Sequence, residues 1–281
     1  MKMNRNEYSE KAKQFIGVKK YPEALEVLNK SIEIEPMDTD TWILKGCVLN
    51  ELGKYQEALK VLNIAIGIDP KKTDTYILKD KIIYDLMQAL ESINSSIKMN
   101  PKNTDIWILR GVALDELGKY QEALESFDEA IKITPNNATI WFLKGKVLKE
   151  LNKYQESVEA LNTATDLDPQ YAHNAYTWIL KGIVLNELME HQKALEASNR
   201  AIEINPKDGD AWRVKGCALC SLKEPEKALE ALNKATELNP LDVFAWTIKT
   251  TLFGALQQYK KANEAFKKVK ELEPLLHIPN T

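Results

Sequence analysis

Several things are scarce in this 281-residue chain, and each scarcity excludes something. Cysteine occurs three times, as Cys47, Cys217 and Cys220, too few and too scattered for a disulfide framework. Histidine also occurs three times, as His173, His191 and His277, with no shared ligand spacing, so no metal site is expected. No apolar run approaches the roughly 20 residues of a membrane span, and the opening MKMNRNEYSEKAKQ lacks the apolar stretch of a secretory signal. There is no excess of basic charge: the net charge of -3 offers nothing for nucleic-acid phosphates. A phosphate-binding glycine loop, an HExxH and a Ser–His pairing are all lacking, so neither catalysis nor a cofactor is expected. The CxxC at Cys217 and Cys220 has no second pair and follows no strand, which makes it a pair of small helix residues. These features predict a cytoplasmic protein.

What is present is a period, and repeats decide the fold before anything else. Trp42, Tyr76, Trp107, Trp141, Trp178, Trp212 and Trp246 lie 34, 31, 34, 37, 34 and 34 residues apart. Pro36, Pro70, Pro101, Pro135, Pro169, Pro206, Pro240 and Pro274 keep the same rhythm. Within residues 104–137, Trp107, Leu109, Leu114 and Leu117 recur at helical steps until Gly118. A second helix then carries Ala123, Leu124, Phe127, Ala130, Ile131 and Ile133 up to Pro135. Gly111 and Ala123 are small where two helices of a hairpin must approach closely.

The unit resembles the tetratricopeptide repeat. The matching residues recur as Trp42, Gly46, Gly53, Tyr55, Ala58, Leu62, Ala65, Pro70 and as Trp141, Gly145, Tyr154, Leu161, Ala164, Pro169. The likeness covers eight units, at 5–38, 39–72, 73–103, 104–137, 138–171, 175–208, 209–242 and 243–276, with tails 1–4 and 277–281. The Lys-Gly pairs of the first helices are similar to an archaeal repeat style. The resemblance implies an all-α, right-handed α-solenoid of antiparallel helix pairs, with first helices lining a concave groove. It also implies a non-catalytic scaffold that binds a protein or peptide.

The ends are expected to be blunted. The opening helix is polar, and the last unit has Asn263 and Lys270 where earlier units have Leu or Val and Ile or Thr. Exposed aliphatics there would forfeit roughly 1.5–3 kcal/mol each, so the array is predicted to finish at this unit. The third unit is irregular. The three residues equivalent to Gly-Lys-Tyr are missing around Leu86, Met87 and Gln88, and Asp80 takes the place of the small packing residue. The regular neighbours favour a tighter turn within a hairpin. The alternative is one fused helix, which would unstack about four aliphatics at a cost on the order of 8 kcal/mol and invite a domain-swapped homodimer. The extra Ala172, His173 and Asn174 are expected to lengthen a solvent-exposed loop.

Two rows recur along the repeats. Lys11, Lys45, Lys79, Arg110, Lys144, Lys181, Lys215 and Lys249 occupy one place; their stems are expected to cover apolar surface, an anion ladder being the alternative. Asn29, Asn63, Asn94, Asn162, Asn199 and Asn233 mark another, read as hydrogen-bonding positions between helices. The resemblance places the groove on the second, fifth, ninth, twelfth and thirteenth residues of each unit. The fifth-residue row is Ser9, Ile43, Ile77, Ile108, Phe142, Ile179, Arg213 and Thr247, either a docking track or packing between first helices. Cys47, Asn50, Asp115, Lys146, Lys149 and Asn186 share its face, with many acidic neighbours. An apolar and acidic groove favours partners with apolar and basic side chains. Ser9, Lys13, Ile43 and Cys47 stand where relatives that clamp chaperone C-termini carry Lys and Asn, which argues against that role.

Overall fold

The computed structural model describes residues 5–273, with side chains from Glu7 onward. The two tails, and the last unit from Pro274 onward, lie outside the described residues. Every regular element among the described residues is helical. The chain divides into two compact units, one of Met1–Met87 with Lys267–Thr281 and one of Gln88–Phe266.

The first unit contains the hairpins α1 (Arg5–Gly17)/α2 (Tyr21–Ile34) and α3 (Thr39–Glu51)/α4 (Tyr55–Ile68), then the start of α5 (Thr73–Met99). The second contains the rest of α5 and the hairpins α6 (Thr104–Glu116)/α7 (Tyr120–Ile133) and α8 (Ala138–Glu150)/α9 (Tyr154–Leu167). After the short α10 (Pro169–Ala172) come α11 (Ala175–Glu187)/α12 (His191–Ile204) and α13 (Gly209–Ser221)/α14 (Pro225–Leu238). The last pair is α15 (Val243–Ala255)/α16 (Tyr259–Leu272), with α16 belonging to the second unit up to Phe266.

Both rulers have a common physical origin. The indole N–H of Trp42 donates to the carbonyl of Pro36 at 2.7 Å, and Trp107, Trp141, Trp212 and Trp246 reach Pro101, Pro135, Pro206 and Pro240 in the same way. Each bond ties a first helix to the turn before it, so tryptophan and proline must keep step. Asn103, Asn137, Asn174 and Asp208 cap first helices by accepting from the amide two residues on.

Each hairpin turns through one left-handed residue: Lys19, Gly53, Gly118, Asn152, Met189, Lys223 or Gln257, with φ between 58 and 72°. Its N–H, and the next one, return to first-helix carbonyls, as Gly118 N to Asp115 O at 2.9 Å and Lys119 N to Leu114 O at 2.8 Å. The paired helices then touch at the small residue. A methyl added to Gly46, Gly111, Gly145 or Gly216 would stand 2.5–2.8 Å from Leu62, Phe127, Leu161 or Leu232.

The third repeat lacks both devices, and this corrects the tighter turn favoured by its neighbours. The deletion removes the left-handed residue, and Asp80 sits where a side chain would strike a returning helix. With nothing to stop it, α5 runs unbroken for 27 residues through Leu86, Met87 and Gln88. Ala89 is exposed there, whereas its counterparts Ala24, Ala58, Ala123, Ala194 and Ala228 are fully buried. The expected cost is also corrected: Ile82 and Leu86 stay buried, and Leu90, Ile93 and Ile97 are half-buried. In the last repeat Asn263 and Lys270 are exposed.

Candidate functional site

The groove rows fall into two groups, one in each unit. In the first unit, Ile43 and Leu44 join Ser9, Glu10, Lys13, Asp38 and Asp40 around a hollow of about 460 Å³. Lys13 pairs with Glu10 at 2.8 Å, and Lys72 with Asp40. Cys47 and Asn50 are half-buried further along α3, and burial pushes the Cys47 thiol up. Ile77, on α5, is 62% exposed.

In the second unit the row becomes aromatic. Phe142 on α8 meets Tyr171 with ring centroids 5.0 Å apart and Tyr176 at 6.2 Å. Tyr176 is the second residue of its unit and therefore belongs to the groove face. Tyr171 comes from α10, in the segment preceding the inserted residues. The insertion is thus more than a longer exposed loop: the stretch folds as a helical turn that lays an aromatic ring on the row. Asp168 caps that turn by accepting from Gln170 N, and the Tyr171 hydroxyl is 2.9 Å from Thr139 Oγ1. Sequence periodicity missed Tyr171 because it is the last residue of its unit and not at one of the groove positions.

Charges flank the aromatic row in pairs. Asp115, 3% exposed on α6, accepts from Lys146 Nζ of α8 at 2.7 Å, while its Oδ1 has no partner. Burial alone would lower the Lys146 ammonium, but the hydrogen bond and charge of Asp115 hold it above its ordinary value. Lys149 pairs with Glu150 at 2.6 Å. Arg213 pairs with Asp210 at 2.7 Å and lies 3.0 Å from Asp242 Oδ2. Asn186 donates at 3.5 Å to Val214 O. Much of the acidity read from the sequence is therefore answered within the wall itself. Ile179 is 4% exposed and packs with Ala201, Ala211 and Val214, so it serves packing between successive repeats. Ile108 is half-buried beside the Leu114–Phe127 core.

The recurring basic residues lie over the ruler tryptophans, as Lys45 over Trp42 at 5.3 Å, Lys144 over Trp141 at 5.4 Å and Lys249 over Trp246 at 4.1 Å. The asparagine row faces them: Arg110 Nε donates to Asn94 Oδ1 at 3.0 Å, and Lys144 meets Asp128 at the equivalent place at 2.6 Å. Cys217 and Cys220 are half-buried on α13; burial raises both thiols, Cys220 to about 11, the opposite of a reactive pair. No group of His, Cys, Asp or Glu suited to a metal occurs among the described residues, and no helix there is long and apolar enough to cross a membrane.

Helix hairpins strung at this period, with a row of side chains along the first helices, define a tetratricopeptide-type repeat protein. Models of the tetratricopeptide repeat match residues 39–72, 138–171 and 210–240, and 93–125, and a TPR repeat model matches 113–151. The chain belongs to the tetratricopeptide repeat family, whose members are in general scaffolds for protein–protein interaction. No curated protein sequence matches it. Among solved structures, it is similar to MamA from residue 41 onward of Desulfovibrio magneticus RS-1: 25% identity, 60% of this chain, 94% of that one, TM-score 0.55. It is also similar to YrrB, described as a TPR protein with an unusual peptide-binding site: 22% identity, 67% and 97% of the two chains, TM-score 0.53. A third is a chain of the APC/C hetero-tetramer Cut9–Hcn1: 18% identity, 94% and 52% of the chains, TM-score 0.58. The last two show the shared fold alone.

Proposed function

We propose that the protein is a non-catalytic interaction scaffold that takes a peptide or protein segment on the first-helix face of its second unit. The observation that carries this reading is the aromatic cluster of Phe142, Tyr171 and Tyr176 beside the Asp115–Lys146 pair. Rigid aromatic rings next to prepaired charges give contact area at small entropic cost. The matching segment presents hydrophobic side chains to Ile108 and Phe142, and basic ones to the exposed Asp105 and Glu187 at the edge. Peptides selected from a random library on the intact protein, and measured by calorimetry, should weaken at least tenfold on Ile108→Asp and Phe142→Asp. Selected peptides that bind both variants as tightly as the parent exclude this face.

A second reading, self-assembly, is favoured by α5. A continuous helix with Ala89 uncovered offers the surface a domain-swapped homodimer would bury, with Asp80, Leu86, Met87 and Gln88 at the hinge. Light scattering at increasing concentration tests it, a constant monomer mass excluding it.

A further inference from the structure

The basic row is uniform in sequence but not in partners. Lys144 meets Asp128, Arg110 meets Asn94 and Ser126, and Lys249 donates to Thr236 at 2.9 Å. Lys11, Lys45, Lys79, Lys181 and Lys215 make no such bond among the described residues, and of these five only Lys181 is buried. It lies 4.3 Å from the Trp178 ring, is only 8% exposed, and has no hydrogen bond or carboxylate partner among the described residues. Where Asp128 answers Lys144, the equivalent place opposite Lys181 holds the neutral Asn162. Burial holds the Lys181 ammonium below its ordinary value, with only the more distant charge of Asp166 opposing. A buried ammonium without a counter-charge is costly, and an anion beside it relieves that cost.

The space for an anion is there. Lys181 opens on a cavity of about 530 Å³ lined also by Val158, Asn162, Trp178, Leu185 and Leu188. Trp178, Lys181 and Leu185 share one face of α11, continued by Leu188 just past its end, opposite the groove-facing Tyr176. This cavity is therefore distinct from the groove. The other cations on its lining are already engaged, Lys193 by Glu190 and Arg200 by Glu203, both at 2.7 Å. Glu196 adds negative charge to the lining. One free cation among carboxylates suits a monoanion and disfavours the double charge of a phosphate. The aliphatic walls and the indole suit an apolar body.

We infer that the cavity between α9, α11 and α12 is a second binding site, for an organic carboxylate attached to an apolar or aromatic group. The carboxylate accepts from Lys181 Nζ and from the Asn162 amide, and the apolar body packs on Val158, Leu185, Leu188 and Trp178. Such a group comes either free, as a small carboxylic acid, or as a glutamate side chain flanked by leucines in a polypeptide.

The experiment is calorimetry on the whole protein with phenylacetate and with the acetylated, amidated peptide Leu-Glu-Leu, against phenylacetamide and Leu-Gln-Leu. At least one carboxylate probe should bind at least tenfold tighter than its amide counterpart. A tenfold preference for phenylacetate or for the peptide assigns the source. Asn162→Asp supplies the internal counter-ion that Lys144 already has, at an exposed position that the fold tolerates. It should weaken binding at least tenfold without lowering the thermal transition, and Lys181→Met should do the same. Absence of binding by both carboxylates, equal binding of the amides, or full binding by Asn162→Asp overturns the inference. None of these results bears on the groove.

Discussion

Substituting Gly111 by Ala tests the glycine contact that four of the hairpins share. An alanine Cβ there would stand 2.5 Å from Cε1 of Phe127, a side chain with no exposed surface. Alanine is intrinsically better than glycine in a helix by about 1 kcal/mol, whereas forcing a methyl into a packed core costs about 1–3 kcal/mol. The second effect wins at this distance, and Gly111→Ala should lose up to about 2 kcal/mol. The first unit shows the remedy, since Ala12 and Leu28 occupy the same two places and both are fully buried. Phe127→Leu alone leaves a void, costing roughly 1–2 kcal/mol on the scale of partial ring deletions. Combined with Gly111→Ala it recreates the Ala12–Leu28 pair. Urea unfolding of the four proteins forms a double-mutant cycle with a favourable coupling of about 1–3 kcal/mol. Strict additivity would refute the claim that this one contact fixes helix separation.

Three further outcomes are expected. Met189 holds φ 60° with its side chain exposed, so Met189→Gly relieves about 1–2 kcal/mol of left-handed strain against about 0.5–1 kcal/mol of added chain entropy and should stabilise by up to about 1 kcal/mol, while Gly118→Ala, at φ 72°, should destabilise; thermal melts read both. Burial lowers Lys249 from 10.5 to about 8. Between those values the unfolded chain binds more protons, so stability rises with pH by roughly 2 kcal/mol and is lost again as pH falls through 8; Lys249→Met should lack that rise in denaturant titrations at pH 7 and pH 10. Inserting Gly-Lys-Tyr after Leu86 should form a hairpin only together with Asp80→Gly, because the small residue is needed as well as the turn. Limited proteolysis at the exposed Ala89 region, suppressed by the combined change alone, checks this.

Much of the candidate face was legible for the same reason as the fold: repeats make local contacts, so a position's place in one unit carries to the next. The pairing of Asp115 with Lys146 crosses repeats, and sequence showed only that both lie on the groove face. Ile179 was indistinguishable from Ile108 in register, yet Ala211 and Val214 of the following repeat bury it. Tyr171 is the last residue of its unit and at no groove position, and only the turn of α10 brings it to Phe142.

The sequence by itself determined the helix-pair period, because indole-to-carbonyl bonds and glycine contacts are short-range and each leaves its residue type behind. The third repeat was decided in three dimensions. Deletion of the turn and the presence of Asp80 were visible in the sequence, but a short turn and a continuous helix differ by a balance between buried aliphatics and uninterrupted backbone hydrogen bonding. That balance depended on Ile82 and Leu86 staying buried without a hairpin. Only the tertiary structure also singles out Lys181 as the buried member among the unpartnered basic residues, since burial depends on how closely the side chains of neighbouring helices cover it.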